Sequence, residues 1–471
     1  TILQRRELII ASPLYPAALV LVLIGCFTKS AQFPFHFWLP NAMDAPTPVS
    51  AYFSAAPKVA AMALLVRVTV EGMGPALESW RQIIIFMALA STILGGVAAI
   101  GQKNVKRLLA YSTIENIGIA FAAFGLAILF HCFAMPRLAA LALVAMLYHS
   151  LNHAFFKSLL FLATGSVLHA TRERRLGKLG GLIRNMPWVA WLALVGTLAI
   201  AGLPPLNGFV SEWLLLQAFL FTPEIPQPFA NMLIPLGAPA LALTAALAGY
   251  VMVKFYGVIF LGQMRDPQLA QAHDCGTLER IGLAWLAAGC VALGLLPALV
   301  LQMLDPVAAL LLGGGLGPQG AGSWMLVPVS AERASYSPLL LLVGIVSGVL
   351  LTLWGVRRLY HGRIRRSPPW DCGFPLQTAR MQDSAEGFGQ PIRQIFEPFF
   401  RMERELPLPS DSHPRYRVTI GDHFWHWIYL PVAAGVERLS KWIGLLQQGR
   451  IAVYLLYSFL TLVAVLLVVM R

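Results

Sequence analysis

The sequence has little charge and no closely paired cysteines. Only 12% of its 471 residues are charged, whereas a soluble domain carries roughly 25%. Its five cysteines form no C-x-x-C pair, so neither an iron–sulfur cluster nor a structural zinc site is indicated. The glycine run at 313–317 lacks the Gly-Lys-Ser/Thr of a phosphate loop. We therefore expect no catalytic residue, metal or cofactor in this chain, and we expect any electron transfer to occur in another subunit.

Long hydrophobic runs dominate the sequence instead. Hydrophobic residues make up 57% of the chain, and the mean hydropathy is +0.68. Crossing a hydrocarbon core of roughly 30 Å takes about 20 apolar residues. Apolar runs of suitable length cover residues 9–29, 50–71, 82–101, 108–131, 137–168, 187–221, 231–261, 280–304, 337–357 and 451–470. We predict an all-α polytopic membrane protein with about ten transmembrane helices, two of them broken.

The net charge of +13 reflects the short loops and does not indicate nucleic-acid binding. Basic residues are concentrated in alternate loops, around 103–107, 172–184 and 357–366, and the opposite loops hold them only in ones and twos. Cytoplasmic loops of membrane proteins carry such an excess of Lys and Arg. We predict that these loops face the cytoplasm and that both termini lie outside, although Arg5 and Arg6 break the pattern.

One long apolar run carries three ionisable residues near its middle. His149, His153 and Lys157 are four positions apart, so they share one stripe of a helix. A lysine at bilayer depth costs a few kcal/mol, and such residues normally face protein or water. The stripe therefore indicates an ion path. The alternative is that these groups only connect neighbouring helices by hydrogen bonds.

Four further ionisable residues lie within or at the ends of apolar runs. Lys58 is about a third of the way along its run, which favours a buried role. Lys29 and Lys254 have either a path role or side chains that reach the interface. Glu115 lies two turns inside its helix, where it either relays protons or serves as a polar tether.

Two apolar runs are interrupted by proline. Pro34 follows the first run, and Pro204 and Pro205 lie in the middle of the sixth. Proline frees backbone carbonyls, and paired interrupted helices are typical of ion sites in transporters. Glu212 follows the second interruption by about a turn. It is either part of an ion path or a charge at the start of a helix.

Residues 359–450 differ in character from the rest of the chain. They are charged, contain proline and carry many aromatic residues. This composition favours an amphipathic segment on the cytoplasmic interface over a soluble domain. Lipid or a neighbouring subunit would be its partner.

Several motifs resemble those of the proton-antiporter-like subunits of complex I, Mrp antiporters, formate hydrogenlyase and hydrogenase-4. They are KSAQFP with WLPNAMDAPTPVS (29–50), NVKRLLAYST (104–113), HSLNHAFFK (149–157) and LPPLNGF (203–209). From Ile114 onward the chain is most similar to the type that includes hydrogenase-4 component B and formate hydrogenlyase subunit 3. Residues 24–50 are similar to the Mrp and large complex I type, whereas 53–107 are similar to another complex I subunit.

The resemblance implies a fold of two inverted helical repeats, each with a broken helix. It implies that 1–81 is the remainder of the first repeat, because about six helices of full-length members are absent. It places the second repeat at 82–262, additional helices at 263–358, the lateral segment at 359–450 and a C-terminal anchor at 451–471.

The resemblance also implies a function: a proton-translocating membrane subunit of a redox-driven complex, of hydrogenase-4/formate hydrogenlyase or NADH-quinone oxidoreductase type, in a bacterial inner membrane. Lys58 and Lys157 would be the switching lysines, His149 and His153 relays, and Glu212 the exit-side acceptor. The partners would be other membrane subunits and a peripheral redox arm of nickel–iron hydrogenase or NADH dehydrogenase type. The alternatives are an Mrp-type cation/proton antiporter subunit and a membrane anchor without translocation.

Overall fold

The structure is a computed structural model that is mainly helical. It describes residues 6–72, 78–220, 225–317, 326–327, 335–360, 367, 370–374, 376–379, 381–415, 417–422, 425–444 and 449–469. The helices are α1 (Arg6–Ile10), α2 (Tyr15–Ser30), α3 (Trp38–Ala42), α4 (Thr47–Val66), α5 (Glu78–Gly101), α6 (Val105–Cys132), α7 (Pro136–Thr171), α8 (Pro187–Ile200), α9 (Asn207–Leu220), α10 (Pro228–Phe260), α11 (Thr277–Leu295), α12 (Pro297–Leu312), α13 (Pro338–Leu359), α14 (Ala385–Ile395), α15 (Leu430–Gly444) and α16 (Ile451–Val469).

Eight of the described helices are long and apolar enough to cross a membrane. They are α4, α5, α6, α7, α10, α11, α13 and α16. The shorter α2 and the interrupted pair α8–α9 account for the two other predicted spans. The predicted fold class, a polytopic all-α membrane protein with broken helices, is confirmed.

Helix α6 lies at the centre of the bundle and positions the other helices. Its membrane-length stretch is buried along its whole length. It begins at Asn104, whose side chain accepts hydrogen bonds from the amides of Lys106 and Arg107 and so caps the helix. It packs against α5 on one side and α7 on the other, and α7 also contacts α4, α8, α9, α11 and α12. Residues on α6 and α7 are therefore held deepest in the protein.

The basic loops meet at one end of the bundle. The amide of Leu176 donates to the carbonyl of Lys103 at 2.9 Å, and that of Gly181 donates to the carbonyl of Leu261 at 2.9 Å. Residues 102–104, 172–186 and 261–276 therefore lie together, and we call this end the basic face. The basic loops predicted around 103–107 and 172–184 lie at this face, whereas residues 361–366 of the third predicted basic loop lie outside the described residues.

Both predicted interruptions are present. Pro34 lies in the non-helical link between α2 and α3, and Pro204 and Pro205 lie between α8 and α9. A third interruption was not predicted. The apolar run assigned to 280–304 is divided at Leu296 into α11 and α12, with Pro297 at the first helical position of α12.

The chain forms two units, one ending at Ile392 and the other beginning at Arg393. The second contains a hairpin of strands β1 (Phe400–Glu405) and β2 (Arg417–Asp422), which pair antiparallel with Phe400 opposite Asp422. This hairpin lies within the segment for which the sequence predicted amphipathic structure, and it was not anticipated. The mixed charged and aromatic stretch after it forms α15, as an amphipathic helix would.

Candidate functional site

The stripe predicted on α7 is buried in the centre of the first unit. His149, His153 and Lys157 are each at most 1% exposed. They face different neighbours, because His149 lies opposite α9 and Lys157 opposite α6. The rings of both histidines meet the edge or face of Phe156, with centroids 6.4 Å and 5.6 Å away.

Lys157 is held by α6. Its ammonium group donates to the carbonyl of Leu109 at 3.0 Å and to the hydroxyl of Ser112. Glu115 follows Ser112 by three residues, close to one turn of α6, and its charge interacts with that of Lys157. Both side chains are fully buried, and no hydrogen bond joins the Glu115 carboxyl to Lys157.

Lys58 on α4 approaches the same cluster from the other side. Its side chain is fully buried, and its ammonium group lies 4.8 Å from the ring centroid of Trp38. This cation–π contact places the charge against the start of α3, the short helix that follows the first interruption. The charge of Lys58 interacts with those of Lys157 and His153, and Lys29, exposed in the last turn of α2, interacts with Lys58.

Glu212 lies at the second interruption. A Cβ atom added to Gly202 would be 2.6 Å from Glu212 Oε2, so the carboxyl group lies directly against that glycine. Gly202 also has a φ of +63°, which favours glycine. The charges of Glu212 and Glu115 interact. Glu212 therefore places a half-buried carboxyl group at the broken helix.

A network of neutral side chains joins the stripe to the interruption. Asn152 donates to the carbonyl of Asn207 at 2.7 Å and to the hydroxyl of Ser211 at 3.0 Å. Ser211 also lies 3.0 Å from Nδ1 of His149. Sequence analysis named none of these neutral residues. The polar sequence NGFVS after the double proline was the available signal.

Lys254 lies apart from the other ionisable groups. Its ammonium group donates to the carbonyls of Gln102, at 2.8 Å, and of Ile100. These carbonyls lie at the end of α5, where the helix itself supplies no hydrogen-bond donors. Lys254 provides those donors at the basic face. Its role in an ion path stays a prediction.

The buried centre holds several ionisable groups without hydrogen-bond partners among the described residues. They are Lys58 Nζ, both carboxyl oxygens of Glu115, Nε2 of His149 and both ring nitrogens of His153. Burying polar groups without partners costs free energy, so their presence at this depth indicates function. Among the described residues no cluster of His, Cys, Asp and Glu could hold a metal ion.

A multi-helix bundle with two broken helices and buried charges between them defines an antiporter-like membrane protein. The sequence profile of "NADH:quinone oxidoreductase/Mrp antiporter, TM" matches residues 2–224. Hydrogenase-4 component B of Escherichia coli is 30% identical over 476 residues, covering 98% of this chain and 70% of that protein. The chain therefore belongs to the family of membrane subunits shared by NADH:quinone oxidoreductases, hydrogenase-4 and Mrp antiporters.

Two further similarities concern the antiporters and the fold. Na(+)/H(+) antiporter subunit A1 of Staphylococcus aureus is 36% identical over 313 residues, which are 65% of this chain and 39% of that protein. A chain of the membrane-bound sulfane sulfur reductase, an archaeal respiratory membrane complex, has the same fold. It aligns with a TM-score of 0.71 and 23% identity over 95% of this chain and 68% of its own.

Proposed function

We propose that the chain moves protons across the membrane as a subunit of a redox-driven complex. The observation that supports this most is a set of ionisable groups deep in the bundle. Lys58, Lys157 and Glu115 are fully buried, and the half-buried Glu212 lies at the broken helix. Buried lysines and carboxyls change protonation state readily when a neighbouring charge changes. A proton gained or lost at one group therefore alters the proton affinity of the next.

The roles follow from position. Lys58 and Lys157 act as the switching groups, because each is fully buried and their charges interact. His149 and His153 act as relays beside Lys157, since their ring nitrogens can both accept and donate protons. Glu212 acts as the acceptor at the broken helix, where the helix interruption opens backbone groups to the ion path.

The test is Lys157→Met in the complex reconstituted into proteoliposomes. Methionine keeps the length and apolar stem of the side chain and removes the proton-binding group. We expect coupled proton uptake to be abolished and the complex to assemble normally. Lys178→Met is the matched control, because Lys178 lies in a loop with a side chain that is 52% exposed. Proton uptake that persists in Lys157→Met would overturn the assignment and favour an anchor without translocation.

The similarity to an antiporter subunit supports a second candidate, exchange of sodium for protons without a redox partner. It predicts that vesicles containing only this chain generate a sodium-dependent pH gradient. The redox-driven proposal predicts no such gradient in these vesicles, so one measurement separates the two functions.

A further inference from the structure

A second polar feature lies apart from the ionisable groups of the proposed proton path. A cavity of about 670 Å³ opens at the basic face, between the start of α4, the end of α7 and the start of α11. Its size is within the range of small-molecule sites. The proposed proton path uses none of the residues that line it.

Basic side chains surround the polar end of this cavity. Lys106, Arg172 and Arg174 line it, and Glu279 is the only carboxylate among the described lining residues. Lys106 is only 2% exposed and donates to the carbonyl of Ala45. Its ammonium group is therefore held at the cavity wall, away from solvent. The polar end carries an excess of positive charge.

The charges in the cavity differ in how far they are already paired. Glu279 accepts a hydrogen bond from Ser166 at 3.2 Å, and Arg174 lies 3.4 Å from Asp44. No carboxylate of the described residues forms an ion pair with Arg172. The start of α4, with Thr47 in the cavity wall, adds the positive end of a helix dipole. Arg172 and the start of α4 would therefore attract an anionic group more strongly than the side chains that already have partners.

The rest of the cavity is apolar and continues into the membrane surface. Leu162 and Leu168 on α7 and Leu283 on α11 line it. Next to it, Leu278, Ile281 and Trp285 on α11 are exposed. In a spanning helix, exposed apolar residues of this kind face acyl chains. The cavity therefore joins a basic pocket at the interface to a surface suited to lipid tails.

Two glycines, one on α7 and one on α11, line the cavity with no side chain to fill it. Gly165 lies directly against Thr47 in the cavity wall, where an added Cβ atom would lie 3.1 Å from the Thr47 methyl group. Gly282 on the opposite wall has no atom within 4 Å of an added Cβ. A larger residue at Gly282 would fill the cavity without meeting the backbone, which provides a direct test.

We propose that this cavity binds an anionic membrane phospholipid, with the phosphate-bearing headgroup against Arg172, Lys106 and the start of α4, and the acyl chains along α11. Basic pockets between transmembrane helices recognise such headgroups through charge and hydrogen bonding. The apolar wall selects a lipid over a free phosphate, because a free anion gains nothing from it.

The test uses the complex in nanodiscs of phosphatidylethanolamine and phosphatidylglycerol, delipidated stepwise and examined by native mass spectrometry. We expect phosphatidylglycerol to remain bound to the wild type. Gly282→Leu should remove it by filling the cavity. Arg172→Gln should weaken its retention about fivefold, as expected for loss of one basic side chain near a membrane surface.

Two controls match these variants. Gly344→Leu on α13 also places a leucine where nothing lies within 4 Å of the added Cβ. Arg358→Gln removes an exposed arginine at the end of the same helix. Both should retain phosphatidylglycerol like the wild type. Thermal unfolding of every variant checks that the fold is intact.

Three results would overturn the proposal. The first is retention of phosphatidylglycerol by a folded Gly282→Leu variant at the wild-type level. The second is displacement of the lipid by millimolar inorganic phosphate alone, which would indicate a free-anion site. The third is cross-linking of a photoreactive residue at position 282 to another polypeptide in place of lipid, which would indicate that protein fills the cavity.

Discussion

At the scale of single residues, Lys157 depends on a neighbour that carries no charge. Ser112 accepts a hydrogen bond from its ammonium group. A hydrogen bond to a charged group contributes about 1.5–3 kcal/mol. We expect Ser112→Ala to lower coupled proton uptake by about tenfold or more, because Lys157 would lose one of the groups that fix its position.

Ser150 supplies the matched control for that measurement. It is a buried serine on α7. Its hydroxyl donates a hydrogen bond of 2.8 Å to the carbonyl of Met146 in the same helix. Ser150→Ala should leave proton uptake in proteoliposomes close to the wild-type value. Equal losses in both variants would show that any buried serine matters and that Ser112 has no particular role.

The second prediction for a single residue concerns Gly202. Alanine there would adopt a left-handed conformation at a cost of about 1–2 kcal/mol, and its methyl group would lie 2.6 Å from Glu212 Oε2. We expect Gly202→Ala to displace the carboxyl group, lower the melting temperature and reduce proton uptake. Gly344→Ala, in open space on α13, is the control. Unchanged uptake in a destabilised Gly202→Ala variant would remove Glu212 from the path.

Sequence spacing was enough to find the charged residues but not their partners. His149, His153 and Lys157 share a stripe because helical periodicity is local. Trp38 against Lys58 and Ser112 against Lys157 come from separate elements. Their contacts depend on how the helices pack, and no local pattern in the sequence records that packing.

At the scale of elements, two of the three interruptions were predicted from proline, and the one at Pro297 was not. Pro204 and Pro205 between glycines predicted the broken helix correctly. Pro297 alone is compatible with a continuous helix that begins there or bends, so the division into α11 and α12 was missed. The end of α11 packs closely on the other interruption, since a Cβ atom added to Gly294 would lie 2.3 Å from the carbonyl oxygen of Pro205.

Residues 381–392, at the end of the first unit, contact α10 and the loop that follows it. Phe388 lies against Tyr250 of α10 with ring centroids 4.6 Å apart, and the Tyr250 hydroxyl donates to the Phe388 carbonyl. Gln382 exchanges two hydrogen bonds with the backbone of Gln263, both 2.9 Å long. The ion pair of Lys103 and Glu386 joins the same surfaces at 2.6 Å, with side chains about half exposed.

Magnitudes decide which of these contacts holds the segment. An exposed ion pair contributes about 0–1 kcal/mol, whereas an aromatic pair adds about 0.5–1.5 kcal/mol beyond the area it buries. We expect Tyr250→Ala to increase hydrogen exchange across residues 381–392 severalfold and Lys103→Ala to change it little. The reverse order would show that charge, not packing, docks this segment.

At the scale of the whole molecule, the proposed proton path needs a source of energy. On the redox-driven proposal, that source is electron transfer in partner subunits. Helix α13 is apolar and unburied along its membrane-length stretch. In a membrane such a surface faces lipid or another subunit. A proton path that depends on redox chemistry therefore requires partners in the same complex.

Mass spectrometry of the complex that copurifies with this chain from its native membrane tests that requirement. If the buried charges are driven by redox chemistry, we expect other membrane subunits together with nickel–iron hydrogenase and ferredoxin-like proteins, or an NADH dehydrogenase arm. The same purification from membranes lacking the tagged chain controls for adventitious proteins. Recovery of small Mrp-type partners without any redox protein would instead assign the ionisable groups from Lys58 to Glu212 to cation/proton exchange. The energy would then come from an existing ion gradient, and the redox-driven proposal would fall.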